Sequence, residues 1–322
     1  MSVYIRPATL DDLDALEECV SRAGIGLINL PRDRESLEKR IRLSEDSFSK
    51  QVSFPQEEEY FFVLVRRENN AILGTAGIYA NLGKAHPLYV YQIDPKGFMT
   101  PKQYRGNVSE VCALYIIPEM RKEGFGKLLS LGRFLFIAAH PERFSDQVIA
   151  NMRGFIQDNR SPFWESVGKQ MCKDDFNTVM GKRLQNDQFI GEFLTNKRPI
   201  PVDTIPEEAR EAIGKPHPHT QPAVAMLMRE GFTFSENIDP IDGGPILIAD
   251  TQKIKTVKQS QRAQVVEFDH NEMTPSSYLV SNESMQFRCC YSKLQILKER
   301  VIVPIDTANT LNIKIGDSIR YI

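Results

Sequence analysis

The sequence predicts an α+β (α/β) fold: a mixed, mostly antiparallel sheet flanked by helices, with a helical insertion and a small C-terminal β module. Three observations predict it. The apolar run Val111-Cys112-Ala113-Leu114-Tyr115-Ile116-Ile117 enters a turn carrying Gly124 and Gly126 and leaves as a helix from Lys127 to Phe136. Tyr60–Arg66 and Ile72–Tyr79 are strand-forming runs around the turn Glu68-Asn69-Asn70, which makes them a hairpin. Beyond Lys253 the chain holds short strand-like runs.

In chain order, Val3-Tyr4-Ile5-Arg6 reads as a short first strand. Thr9 can cap a helix beginning at Leu10, with Asp11 and Asp12 favoured near its positive end and Leu13, Leu16 and Val20 as its apolar stripe. A loop over Gly24–Pro31 precedes an amphipathic helix from Arg34 to Ser47. After the hairpin and the Val111 strand, Gln147–Met152 is a further strand. Gln221–Phe232 has a helical apolar repeat stopped by Gly231, and Thr233-Phe234-Ser235 then resumes as strand. Between them, about residues 155–220, lies an insertion with helical pieces at Pro162–Met171, Asp187–Thr195 and Pro206–Ile213. Lys253–Arg262 is a polar basic connector. Strands follow at Ser277–Val280, Phe287–Cys290 and Val301–Val303, and the chain ends in Leu311–Tyr321. The expected organisation is a domain over 1–252, with its insertion, and a β module over 253–322.

Bulk composition narrows the function classes. Forty basic against 42 acidic residues, net −2, produce no global field for nucleic acid or an anionic membrane. Five cysteines without metal-ligand spacing suit free thiols in a reducing compartment, and the N-terminus lacks signal-peptide architecture. The longest apolar stretch, Leu128–Ala139, is broken by Gly132 and Arg133 and is too short to span a bilayer. A soluble cytoplasmic protein is expected, with no metal site.

The turn Arg121-Lys122-Glu123-Gly124-Phe125-Gly126 is the chemically informative stretch. A strand-to-helix loop exposes the N–H groups of the first helical turn, where the helix dipole favours anions. Gly124 and Gly126 remove the Cβ atoms that would bar a phosphate, and Arg121, Lys122 and Lys127 add charge. A dinucleotide fingerprint needs a third glycine where Leu129 stands. A P-loop needs Ser or Thr where Leu128 follows Lys127. The pattern Arg-x-x-Gly-x-Gly after a strand resembles the coenzyme A loop of GNAT N-acyltransferases, whose element order the chain also follows. A glycine-containing turn with solvated basic residues is the plain alternative.

Further runs extend the resemblance: Ile5-Arg6-Pro7, Gly24-x-Gly26-Leu27-x-x-Leu30-Pro31, Ser109-Glu110-x-Cys112, Met152-Arg153-Gly154, Ser161-Pro162-Phe163-Trp164, His217-Pro218-x-Thr220 and Asp242-Gly243-Gly244-Pro245. As a set they are similar to the arginine N-succinyltransferase family over nearly the whole chain. The resemblance is weakest over Gly83–Asn107. It implies transfer of the succinyl group of succinyl-CoA to the α-amine of L-arginine, by direct attack in a ternary complex. Succinyl-CoA would be a co-substrate and no cofactor would be permanently bound. The implied partners are these small molecules, with neither nucleic acid nor membrane, and self-association is left open.

Such a reaction needs a neutral amine, a donor to the thioester oxyanion and a proton for the departing thiolate. The Leu114 N–H is the expected oxyanion donor. The resemblance makes Leu114 the succinyl-CoA contact, and Tyr115, Ile116, Arg121, Gly124, Phe125, Gly126 and Lys127 complete the expected donor site. The matching family histidine is a proton donor, which points to His217 in Pro216-His217-Pro218-His219. Glu110 is either the acceptor of the amine proton or an exposed acid at a strand end. Cys112, placed in a strand by alternation, is expected to be a buried small hydrophobe rather than an acylated nucleophile. Arg153 is the expected partner of the succinyl carboxylate, and Asp239, Asp242 and Glu165 are candidates for a guanidinium.

Two alternatives stay open. One is a GNAT acyltransferase with another acyl-CoA or a basic amine such as ornithine, because one methylene changes binding by only ~1–3 kcal/mol. The other is a non-catalytic acyl-CoA or arginine-sensing protein that signals through its β module.

Overall fold

The computed structural model describes residues 2–23, 29–83, 87–104, 107–121, 123–185, 188–194, 198–269 and 277–322. Most of the loop expected over 24–31, and Lys122, lie outside them. Strand β1 (Val3–Pro7) is followed by a bend that Asp12 organises. The Asp12 carboxylate accepts from the Arg6 guanidinium at 2.6 and 2.7 Å and from the Thr9 N–H at 2.8 Å. The chain therefore makes a 3-10 turn first, and helix α1 (Leu13–Ser21) starts later than the capping residue suggested. Helix α2 (Arg34–Ser49) is capped by Asp33, which accepts from the Ser36 N–H at 2.8 Å.

The expected hairpin is β2 (Glu59–Arg66) with β3 (Ile72–Tyr79). A second hairpin, β4 (Leu88–Ile93) with β5 (Phe98–Tyr104), stands where no element was expected. Its turn is Asp94-Pro95-Lys96-Gly97. Asp94 Oδ1 accepts from the N–H groups of Lys96 and Phe98 at 2.9 and 3.0 Å, and Gly97 takes φ +79°. Next come β6 (Val108–Ile116), α3 (Phe125–Ala139) and β7 (Gln147–Asn151).

The insertion contributes α4 (Pro162–Ser166), α5 (Phe176–Gln185), α6 (Gln188–Leu194), the short β8 (Ile200–Pro201) and α7 (Glu207–Ala212). It has its own core, in which Phe163, Trp164, Phe176 and Val179 meet Tyr91 of β4 and Met99 of β5. The helix expected to reach Met171 stops at Ser166, since the chain turns at Gly168 against the Trp164 ring, where a Cβ would stand 2.0 Å away.

Helix α8 (Gln221–Arg229) ends at Gly231, whose φ is +98°, and β9 (Thr233–Ile238) and β10 (Pro245–Asp250) follow. The supposed connector is largely structured. Lys255–Gln259 form helix α9, with Ile254 and Thr256 buried and the Thr256 N–H on Glu230 Oε2 at 2.8 Å. The remainder is β11 (Gln261–Asp269), β12 (Ser277–Asn282), β13 (Cys289–Lys293), β14 (Gln295–Leu297), β15 (Arg300–Pro304), α10 (Ile305–Leu311) and β16 (Ser318–Tyr321).

The hydrogen-bonded strand order is β14-β15-β11-β16-β12-β13-β1-β2-β3-β6-β7-β10-β9-β4-β5-β8. Among the described residues β6–β7 and β11–β15 are the parallel pairs, so the sheet is mixed and mostly antiparallel. The C-terminal strands join it where Cys289 of β13 pairs with Ile5 of β1. Helix α3 packs on one face, and its Phe136 sits 5.0–5.8 Å from the rings of Phe48, Tyr60, Phe62, Phe144 and Phe287. Helices α1 and α2 cover the other face through Leu13, Leu16, Leu37 and Ile41. No helix among the described residues is long and apolar enough to cross a membrane.

Candidate active site

The site begins where two neighbouring strands part. Strand β6 runs parallel to β7 through Val108↔Gln147, Ser109↔Val148 and Glu110↔Ile149, and the pairing then ends. On its other side β6 stays paired with β3 as far as Gly74↔Ile116, with a bulge between the Gly77↔Cys112 and Thr75↔Tyr115 pairs. The extra residue lies at Ala113-Leu114, and Ala113 adopts φ +51°, in the left-handed region. Thr75 Oγ1 donates to the Ala113 carbonyl at 2.8 Å. A bulge beside an unpaired strand edge leaves backbone groups available to a ligand. Leu114 is half-buried and packs against the core under α3, while Tyr115 and Ile116 are buried. These three can therefore serve a ligand mainly through their main chain.

Continuing upward, Arg121 is exposed, with Nε 3.4 Å from the Ile116 carbonyl. Gly124 is the N-cap of α3 with φ +81°, a conformation an L-residue adopts only under strain. Its carbonyl accepts from the Lys127 N–H at 3.0 Å, which leaves the Phe125 and Gly126 N–H groups at the helix end. A Cβ at Gly126 would meet no protein atom within 4 Å. Packing within the protein therefore does not require glycine there. Lys127 is exposed beside it.

On the other strand of the parting, the chain runs from Ile149, the last residue of β7 paired with β6, through Asn151 to Arg153. The Arg153 carbonyl accepts from the His217 N–H at 2.9 Å, and Gly154 bridges to Pro216. His217 Nδ1 accepts from the His219 N–H at 3.1 Å, so Nε2 carries the proton of the neutral ring. Burial, then the Arg153 cation, then His219 lower the His217 pKa to about 4. Arg153 Nε is buried and has no partner among the described residues. Burial depresses that guanidinium's pKa, with Asp242 partly opposing it.

Glu110 is not the exposed acid at a strand end. It is buried within β6 where β7 departs, and Asn29 Nδ2 donates to its Oε1 at 2.9 Å. Cys112 is buried, with Arg40 Nη2 3.6 Å from Sγ, and burial pushes its thiol up to about 12. A thiol so held is protonated and a poor nucleophile.

Asp239 and Asp242, the candidates for a substrate guanidinium, already have protein partners. Both are inside the protein with both oxygens engaged. Asp239 accepts from Arg183 Nη1 at 2.6 Å, Asn151 Nδ2 at 3.0 Å, and the Ile241 and Asp242 N–H groups at 2.9 and 3.2 Å. Asp242 accepts from the Gly154 and Gly244 N–H groups, each at 2.8 Å. Burial alone would raise Asp239, but Arg183 and these hydrogen bonds outweigh it and lower its pKa, whereas burial and the Asp239 charge raise that of Asp242. Together they brace the Arg153-Gly154 segment and, through it, His217. Glu165 pairs with Lys169 at 2.6 Å and lies 3.9 Å from Arg160.

The structure thus places Glu110 at the last β6–β7 pair and Leu114 in the bulge of β6, joins His217 to Arg153 by a backbone hydrogen bond, and sets Gly124–Lys127 at the start of the helix that follows β6. Asn29, Arg183 and Thr75 were not anticipated. Asn29 lay within the Leu27-x-x-Leu30-Pro31 run, whereas Arg183 meets Asp239 across a sequence separation that gave no signal.

Comparison with known proteins follows the same outline. The family model described as arginine N-succinyltransferase beta subunit matches residues 3–256, and that of its C-terminal domain matches 261–322. An arginine N-succinyltransferase of Yersinia pestis (strain Pestoides F) is 34% identical, covering 99% of this chain and 97% of its own. One from Escherichia coli (strain 55989 / EAEC) is 33% identical with the same coverage. Among solved structures, the arginine/ornithine succinyltransferase subunit AI from Pseudomonas aeruginosa superposes with a TM-score of 0.88 at 29% identity, covering 100% of this chain and 98% of that one.

Proposed function

The chain belongs to the arginine N-succinyltransferase family, and on that premise we propose that it is an acyl-CoA-dependent N-acyltransferase moving the succinyl group of succinyl-CoA to the α-amine of L-arginine. The products are N2-succinyl-L-arginine and CoA. The observation that carries the reading is the parting of β6 from β7 after Glu110, which leads through the Ala113 bulge to the glycine-opened start of α3. In this reading residues 1–252 carry the reaction, and 253–322 form a β module backing α3.

The CoA pyrophosphate takes the Phe125 and Gly126 N–H groups, with Arg121 and Lys127 beside it. Pantetheine follows the free edge of β6 along Ile116 and Tyr115, and the thioester oxygen meets the Leu114 N–H. Arg153, a cation whose Nε has no partner among the described residues, receives the succinyl carboxylate.

At neutral pH the acceptor arrives as an ammonium and must lose two protons. Glu110, directly or through water, takes the first and frees the nucleophile. The amine nitrogen then bonds to the thioester carbon, and the carbonyl π pair moves onto oxygen at the Leu114 N–H. His217 is neutral before reaction, so it accepts the second proton as imidazolium. When the oxyanion collapses and the C–S bond breaks, that proton passes to the CoA thiolate. Cys112, protonated and buried, takes no part, consistent with direct transfer; loss of turnover in folded Cys112→Ala would overturn it.

The test is thiol release with succinyl-CoA against acetyl-CoA, crossed with arginine, ornithine and lysine. The fastest turnover is expected for succinyl-CoA with arginine. No turnover with any pair ends the enzyme reading, and preference for acetyl-CoA ends the succinyl assignment. The name of the Pseudomonas aeruginosa structure supports a second reading in which ornithine is also accepted, which the same matrix resolves.

A further inference from the structure

The bulge in β6 is held by side chains that touch neither substrate in the mechanism above. Thr75 of β3 is fully buried, and its hydroxyl donates to the Ala113 carbonyl at 2.8 Å. Gly74 and Gly77 flank it: a Cβ on Gly74 would lie 2.3 Å from the Tyr115 carbonyl, and one on Gly77 would lie 3.0 Å from Cys112 Sγ. The two strands therefore approach closely on both sides of this hydroxyl. The preceding carbonyl, that of Cys112, is held from the helix side by Arg133 of α3. Arg133 Nη1 lies 3.2 Å from the Cys112 oxygen and 3.5 Å from that of Gly77, and Nη2 is 3.3 Å from Ser130 Oγ. Arg133 is buried and has no carboxylate in ion-pair range among the described residues. A buried cation without an acid is costly, and here it lies under the bulge.

The peptide geometry gives these contacts a direction. In a trans peptide the C=O and N–H point to opposite sides. With the Ala113 carbonyl tied to β3, the Leu114 N–H points away from β3, into the gap that β7 leaves after Glu110. Ala113 at φ +51° is a backbone strain that persists only where its surroundings enforce it.

We propose that Thr75 is a positioning residue for acyl transfer, its hydroxyl holding and polarising the Ala113–Leu114 peptide so that the Leu114 N–H meets the thioester oxygen as the oxyanion forms. This rests on the reading of Leu114 N–H as the oxyanion donor. Thr75 transfers no proton. As the amine–carbon bond forms, the carbonyl π pair moves onto oxygen, and it returns when the C–S bond breaks. The hydrogen bond at the far end of the Ala113–Leu114 peptide strengthens the donor while that charge is present.

The experiment compares wild type with Thr75→Val, which keeps the branched shape and removes the hydroxyl, and Thr75→Ser, which restores it. Thr75→Val is expected to lower kcat about ten- to a hundredfold, less than the roughly 100- to 1,000-fold typical of losing a direct oxyanion donor. KM for succinyl-CoA should stay near wild type, and Thr75→Ser should recover most of the rate. A second readout is the carbonyl stretch of succinyl-CoA carrying a 13C thioester, bound without acceptor. Binding to wild type should lower its frequency, Thr75→Val should lose much of that shift, and Thr75→Ser should regain it. If wild type shows no shift, the Leu114 reading fails. If wild type shifts but Thr75→Val retains both the shift and the rate, Thr75 has no positioning role and the Leu114 reading stands. Should Thr75→Val not fold, Thr75→Cys, a weak donor of similar size, must fall between Ser and wild type on one side and complete loss on the other; a wild-type shift and rate in Thr75→Cys overturns the proposal.

Discussion

At His217 the environment and the proposed task agree on one protonation state. Burial and Arg153 hold its pKa near 4, below the ordinary imidazole value of 6.5, so the free enzyme at pH 7 has a neutral ring ready to accept. The His217 limb of kcat/KM therefore lies on the acid side near pH 4: activity falls as pH drops through it and is unaffected between 6.5 and 7. His217→Ala should remove that limb and lower kcat about 100-fold, while CoA affinity by calorimetry changes less than about twofold. A large loss of CoA binding would instead make the histidine structural. Arg153→Gln removes the cation beside the ring, so the His217 proton resonance should titrate at higher pH than in wild type. The same change should raise KM for succinyl-CoA about tenfold or more while sparing acetyl-CoA. Equal effects on both donors would remove Arg153 from the succinyl carboxylate.

The elements carry a separable prediction, because two neighbouring glycines do different work. Gly124 needs its φ of +81°, whereas a Cβ at Gly126 meets open space. Gly126→Ala should leave the fold as stable, or more stable by about 0.5 kcal/mol, through lost chain entropy in the unfolded state. CoA affinity should nonetheless fall. Thermal denaturation and CoA titration of one variant would show both; unchanged CoA binding would mean the pyrophosphate lies elsewhere. This loop could be read in the sequence because its residues are contiguous and each acts through its own backbone. The same holds for the Gly231 helix stop and for the β2–β3 hairpin. Asp94-Pro95-Lys96-Gly97 was equally local, but it lay in the segment of weakest resemblance and no strands were read around it. The surroundings of Asp239 and Asp242 were illegible for the opposite reason. Nothing near them announces Arg183, Asn151 or Gly154, whose donors turn two candidate ligand carboxylates into internal braces. The polar run at Lys253 misled similarly, since Ile254 and Thr256 are the residues it buries.

For the molecule as a whole, helix α3 and the C-terminal strands share one core. Phe287 stacks edge-on against Phe62 at 5.7 Å and against Phe136 of α3 at 5.2 Å. Phe287→Ala should destabilise the entire protein by about 3–5 kcal/mol, in a single denaturation transition that also abolishes activity. A separate early transition with activity retained would show that the module unfolds independently. The placement of β1 between β2 and β13 bears on how the protein is made. Strand β1 finds β2 soon after both have been synthesised, but β13 only once Cys289 has emerged much later along the chain. During that interval one side of β1 is an open template for foreign strands, so chains interrupted before β13 should be the aggregation-prone species in a cell expressing this protein.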